Sequence, residues 1–181
     1  MKRFDSGREQ DKLLNRIERK ERRESFQRDR FFKYKLAEIH KNLSQALLSE
    51  KVVETDNPSV MSELLLRGLK QALRVNEFEF KYFIAPIRNL LPNPNPVSLY
   101  ITQYLLEVLT KDPSVNEVYG TDLDIYKVVN QVITRINLRF ERAEQDIIEQ
   151  LARNKTLVPG SRDYDIALDQ LFRKKMGQAQ Q

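Results

Sequence analysis

From Asp122 to Arg153 the chain contains neither Gly nor Pro. Its apolar residues there recur at three- and four-residue steps: Ile125, Val129, Val132, Ile133, Ile136, Phe140, Ala143, Ile147 and Leu151. That spacing puts them on one side of an α-helix. The helix is roughly 30 residues, or ~45 Å, long. Thr121-Asp122-Leu123-Asp124 opens it with the spacing of a capping box, Asp standing in for the usual Glu. An amphipathic rod of this length needs other helices along its apolar side. The expected fold is therefore all-α: a bundle of five or six helices with one long helix (about 122–153) and an extended basic N-terminal helix.

The other segments fit that frame. Phe32, Leu36, Ile39, Leu43 and Leu47 form a helical stripe that ends before Thr55-Asp56-Asn57-Pro58. Asp56 or Asn57 can cap the next helix, with Pro58 near its first position. That helix carries Met61, Leu64, Leu65, Leu69, Ala72 and Leu73, and Gly68 weakens it unless another backbone packs there. Val97, Ile101, Tyr104, Leu105, Val108 and Leu109 mark a further helix, stopped by Lys111-Asp112-Pro113. Ser161 can cap a last helix with Tyr164, Leu168, Leu171 and Phe172 inward and Arg173-Lys174-Lys175 at its C-terminal end. The Gln-rich end after Gly177 is expected to fray.

Residues 77–91 admit two readings. Glu77-Phe78-Glu79-Phe80-Lys81-Tyr82 alternates like a strand, whereas Phe80, Phe83, Ile84, Ile87, Leu90 and Leu91 follow a helical stripe. Helix is preferred, because the stripe is longer and no second strand is evident. Pro92-Asn93-Pro94-Asn95-Pro96 is a stiff connector. It divides the expected organisation into an arm (1–30), a helical sub-bundle (31–91) and a second one (97–176). Residues 48–60 and 105–115 echo each other as a helix end, an Asp and a Pro-Ser-Val start; similar cap chemistry accounts for this, and a duplicated helix–turn–helix unit is the alternative.

Charge is segregated. Residues 1–30 hold 11 Lys+Arg and 7 Asp+Glu, whereas the rest of the chain holds 20 and 19. The arm also has few apolar residues, with Leu13, Leu14 and Ile17 followed by none until Phe26. In Phe26-Gln27-Arg28-Asp29-Arg30-Phe31-Phe32-Lys33-Tyr34-Lys35 cations alternate with aromatics. Arg19, Lys20, Arg22, Arg23, Arg28, Arg30, Phe31, Lys33 and Lys35 are the candidate contacts to a partner or to nucleic acid, the cations on phosphates and a ring stacked on a base. The favoured reading of this segment has Phe31, Phe32 and Tyr34 starting the core, with cations on the outside, because the mixed charges of the arm dilute its field.

Several chemistries lack their residues. There is no Cys, which removes disulfides, thiolate nucleophiles and sulfur-ligated metals. His40 is the single histidine and sits beside Ile39, as a boundary residue would. The five Gly are too scattered for a phosphate loop or dinucleotide fingerprint. Asp112, Glu117, Asp122 and Asp124 cluster around one loop without EF-hand spacing, and helix-start chemistry explains Asp122 and Asp124. No metal and no cofactor is expected. No stretch approaches the ~20 apolar residues of a membrane span, and Met1-Lys2-Arg3 lacks the apolar run of a secretory signal. A cytoplasmic location is expected.

Glu117-Val118-Tyr119-Gly120-Thr121-Asp122 after one helix, and Val158-Pro159-Gly160-Ser161-Arg162-Asp163-Tyr164-Asp165 before the last, give residues 97–176 a resemblance to a small bacterial family. It resembles domain-of-unknown-function family 507. The resemblance implies a small helical protein and implies no activity.

The functional expectation is a non-enzymatic helical interaction or scaffold protein that binds a protein partner or self-associates. The apolar pattern at 125–151 is compatible with a seam between protomers. The alternative is a nucleic-acid-binding regulator acting through residues 1–35, with a membrane surface less favoured. A small carboxylate-dependent enzyme is the third class.

Overall fold

The structure, a computed structural model, describes residues 6–74 and 79–177; within this set the side chains of Ser6, Ser25 and Phe26 are excluded. Six α-helices make up most of it: α1 (Ser6–Ser49), α2 (Pro58–Leu73), α3 (Ala85–Leu90), α4 (Pro96–Lys111), α5 (Asp122–Ala152) and α6 (Arg162–Met176). A two-stranded antiparallel ribbon joins β1 (Val53–Glu54) to β2 (Glu117–Val118). The fold is the all-α bundle the periodicity implies, with α5 as its long helix.

Local chemistry places most helix ends. Asn57 caps α2 by accepting from Val60 N, and Pro58 supplies the first residue. Asn95 caps α4 through Val97 N and Ser98 N, again just before a proline. Thr121 and Asp124 form the reciprocal capping box of α5, and Ser161 accepts from Tyr164 N at α6. Each cap satisfies backbone donors that a helix start leaves without intrahelical partners.

α1 runs through position 30 without a break. Its end is set by Lys51, which adopts φ 54°. This turns the chain so that Val52 N reaches Leu47 O at 3.2 Å and leads into β1.

Two expectations are corrected. Residues 75–78 lie outside the described set, so the strand or helix start at 77–78 is not addressed. From 79 onward the chain is not the expected helix until Tyr82, where a single 3-10 turn (Tyr82–Ile84) leads into α3. The buried Gln103 amide explains this. It donates to Glu79 O at 2.9 Å and accepts from Lys81 N at 2.6 Å, so it occupies backbone groups that a helix would have used. The second correction concerns the echo. Pro58 starts a helix, but Pro113-Ser114-Val115 is a turn. The two segments lie side by side: Thr55 Oγ1 donates to Ser114 O at 2.7 Å and Asn116 N to Glu54 O at 3.0 Å.

The core is one cluster. It joins Ile39, Leu43 and Leu47 of α1 and Met61, Leu65 and Leu69 of α2 to Leu99, Leu105 and Leu109 of α4 and the inner face of α5. Residues on both sides of the proline connector thus share one interior. α2 and α4 approach closely: a Cβ on Gly68 would lie 3.2 Å from Val108 Cγ2 and 3.4 Å from Tyr104 O. The apolar face of α5 is buried against α1, α4 and α6. The apolar pattern at 125–151 is therefore occupied by packing within the chain.

Candidate functional site

α1 has two regions of different character. Residues 7–24 are exposed throughout, whereas Phe31, Phe32, Tyr34, Ile39, Leu43 and Leu47 are buried. At 1.5 Å per residue, roughly 27 Å of helix projects past the bundle.

The anchor of this overhang is an aromatic and polar cluster shared by α1, α5 and α6. Phe31 meets Phe140 edge-on at 5.5 Å between centroids, and Phe172 stacks on both Tyr34 and Phe140 at 5.9 Å. Glu144 of α5 is buried beside them. It accepts from Gln27 Nε2 at 3.1 Å and Arg30 Nη1 at 3.3 Å. Burial pushes the Glu144 carboxyl above the ordinary glutamate value; Gln27 and Arg30 oppose that shift and Glu141 adds to it. The Arg30 guanidinium also lies 5.0 Å from the Phe172 ring centroid.

The nominated residues separate accordingly. Arg19, Lys20, Arg22 and Arg23 stand exposed on the overhang, with Lys20 Nζ 3.8 Å from Glu24. Arg28 is half-buried in a groove with Glu24, Gln27, Phe31 and Val97. Arg30 is committed to Glu144. Phe31 is only 4% exposed, so its ring is part of the core and is not a platform for a base. The aromatic alternation at 31–34 belongs to core packing: Phe31, Phe32 and Tyr34 all face inward. Lys33 is exposed with Nζ 5.4 Å from the Tyr34 ring, and Lys35 pairs with Glu38 at 3.0 Å.

Sequence reasoning favoured the dense run 19–23 and passed over the helix faces. Arg8, Lys12, Arg16, Arg19 and Arg23 follow steps of four, four, three and four residues. On a continuous helix these share one face, within about 80° of arc. Leu13, Leu14 and Ile17 lie on the other side, each more than half exposed. Leu13 and Leu14 stand eighteen residues before Phe31 and Phe32, which is five full turns at 3.6 residues per turn. They therefore continue the bundle-facing line of α1 beyond the bundle. The spacing was the available signal, but it required knowing that α1 does not break.

Elsewhere polar groups serve the fold. His40 Nε2 lies 2.6 Å from Ser62 O and 2.9 Å from Ser62 Oγ, tying α1 to α2. Asp112 accepts from Ser114 N at 2.9 Å, and that bonding holds its carboxyl below the ordinary range. Asp124 is lowered in the same way by Thr121. Among the described residues no three His, Cys, Asp or Glu are grouped to hold a metal ion. Surface grooves do contain carboxylates, such as Glu107 with Asp122 and Glu107 with Asp112. No helix among the described residues is long and apolar enough to cross a membrane.

The family model described as "Protein of unknown function (DUF507)" matches residues 78–179, more than half of the chain. The chain belongs to this family. The match begins earlier than the resemblance at 97–176 and takes in α3 and the proline connector as well as α4, β2, α5 and α6. Neither a curated protein nor a solved structure matches the chain. α1, β1 and α2 precede the family region, yet α1 packs along α5 and α2 packs along α4. The overhang is thus mounted on the family region through Glu144, Phe140 and Phe172.

Proposed function

We propose that this protein is a non-enzymatic, cytoplasmic interaction protein that offers the overhang of α1 to a protein partner. The observation that carries this reading is the repeat of Phe31-Phe32 by Leu13-Leu14 five turns earlier. Phe31 and Phe32 pack on the bundle, whereas Leu13 and Leu14, with Ile17 one turn on, are each more than half exposed among the described residues. Apolar anchors one turn apart on a helix suit a hydrophobic groove on another protein. Glu21 and Glu24 fall on the same side of α1 nearer the bundle, so the fitting partner has a short apolar groove with a cationic edge. The bundle holds the helix in place: a free helix of this length and composition is marginal in water, and continuity with the docked half nucleates it.

The test is site-specific photo-crosslinking in the native host with p-benzoylphenylalanine at position 13, 14 or 17. The expected result is one discrete protein adduct from these positions and none from Gln131 or Ala152 on the bundle surface. No adduct at the three arm positions, or the same adduct from the bundle positions, removes the proposal. An adduct of the chain with itself, together with dimerisation in equilibrium sedimentation, identifies the partner as a second copy.

A further inference from the structure

We infer that the opposite face of the same overhang binds the phosphate backbone of a double-helical nucleic acid without reading its sequence. Arg8, Lys12, Arg16, Arg19 and Arg23 form a row along roughly 22 Å of helix. All five are exposed, and among the described residues none of them takes part in an ion pair. Of the five acids of residues 8–24, Asp11, Glu18, Glu21 and Glu24 lie about 60° or more outside this arc, and Glu9 borders it. The arm's modest net charge of mixed sign therefore hides one predominantly cationic face. Five cations with no competing anion between them produce a local field that the chain total understates.

The geometry favours a duplex backbone over the other polyanions. A duplex carries one phosphate per about 1.7 Å of its axis with both strands counted, a dense array of negative charge that a row of this length can meet at several phosphates. The row is straight because α1 is a single unbroken helix. A bilayer is the poorer fit. The cations are centred roughly 145° around the helix from Leu13, Leu14 and Ile17, so one flat surface cannot engage both sets. Within residues 8–23 Asn15 is the only amide beside the row and there is no aromatic residue, so the row itself has little with which to read bases. This face is distinct from the apolar one, so the two proposals stand or fall separately.

Fluorescence anisotropy with the full chain tests this, using a labelled DNA duplex of about 20 base pairs at about 50 mM salt. Two variants with the same charge change are compared. One carries Arg8→Gln, Lys12→Gln, Arg16→Gln, Arg19→Gln and Arg23→Gln. The other carries Arg67→Gln, Lys70→Gln, Arg88→Gln, Lys111→Gln and Arg135→Gln, all exposed on the bundle. The row variant should bind at least about tenfold more weakly, and the scattered variant within about twofold of the parent. Five neutralised phosphates predict a slope of log affinity against log salt of about −4.5 for the parent, nearly flat in the row variant. Duplexes of unrelated sequence should bind alike. Absence of binding by the parent, an equal loss in the scattered variant, a salt-independent affinity, or tighter row-dependent binding to phosphatidylserine vesicles than to duplex each overturns the inference. Leu13→Ala/Leu14→Ala/Ile17→Ala should leave duplex affinity unchanged, and loss of affinity there counts against it.

Discussion

The Arg30 guanidinium meets the Glu144 carboxylate at 3.3 Å, across 114 residues of sequence, where α1 leaves the bundle. Glu144 is the more buried partner, with a side chain 10% exposed against 30% for Arg30. The Glu144 carboxyl bears the cost of desolvation, and the pair with Arg30 offsets part of it.

That asymmetry sets a pH dependence. Because the folded-state pKa of Glu144 is raised, its contribution to stability is fully present below the unfolded-state value and is lost as pH rises through the folded value. Wild type should therefore gain stability relative to Glu144→Gln as pH falls from neutrality toward the ordinary glutamate range. Urea midpoints of both proteins at several pH values read this directly. A difference independent of pH, or one growing in the opposite sense, contradicts the assignment of burial as the main cause.

Phe172 is fully buried between Tyr34 and Phe140 and under Arg30. Phe172→Ala should cost about 3–5 kcal/mol, because the ring is lost and three elements border the cavity left behind. The check is denaturant unfolding at neutral pH, with Phe172→Leu expected to recover much of the loss. A cost under about 1 kcal/mol for the alanine variant means that α6 is not held by this cluster.

Gly68 lies where α2 meets α4, with its missing Cβ position 3.3 Å from Leu105 Cδ2. Gly68→Val should destabilise by about 1–3 kcal/mol, since two further methyl groups must displace Leu105 and Val108. The gain from removing a helical glycine works the other way and is about 1 kcal/mol at most. Thermal melting decides the sign, and an unchanged or higher Tm refutes the close packing.

Lys51 occupies the left-handed region with φ 54° just after α1. A Cβ there costs about 1–2 kcal/mol. Lys51→Gly should accordingly raise stability by about 1 kcal/mol, the extra freedom of glycine in the unfolded chain taking back part of the relief. Comparison of Tm against Lys51→Ala, which keeps the Cβ and should not stabilise, separates backbone strain from lost charge.

Much of the fold was legible because its signals are local. Asn57-Pro58, Asn95-Pro96, Thr121 with Asp124, and Ser161 each announce a helix start through atoms within three residues. The period along 125–151 shows a long helix before any neighbour is known. The 79–81 segment defeated the same reasoning because its backbone partner is Gln103, on a helix that begins beyond the connector. The ribbon was missed because Val53–Glu54 is too short to show a pattern and pairs with residues some 60 positions away. Phe31 fitted both a core start and a partner contact in the sequence, because cations surround it; its contact with Phe140 selects the core.

The helical class, the caps, the length of α5 and the charge excess of the first thirty residues can all be read along the chain. All of these follow from backbone hydrogen bonding and side-chain periodicity within a few turns. Tertiary contacts set the inward direction of residues 31–34 and the commitment of Arg30 to Glu144, at the point where α1 leaves the bundle. Those outcomes rest on contacts between residues more than a hundred positions apart, and short-range propensity carries no information about such pairs. Once that helix is continuous, its cations sort onto one face and its leucines onto another.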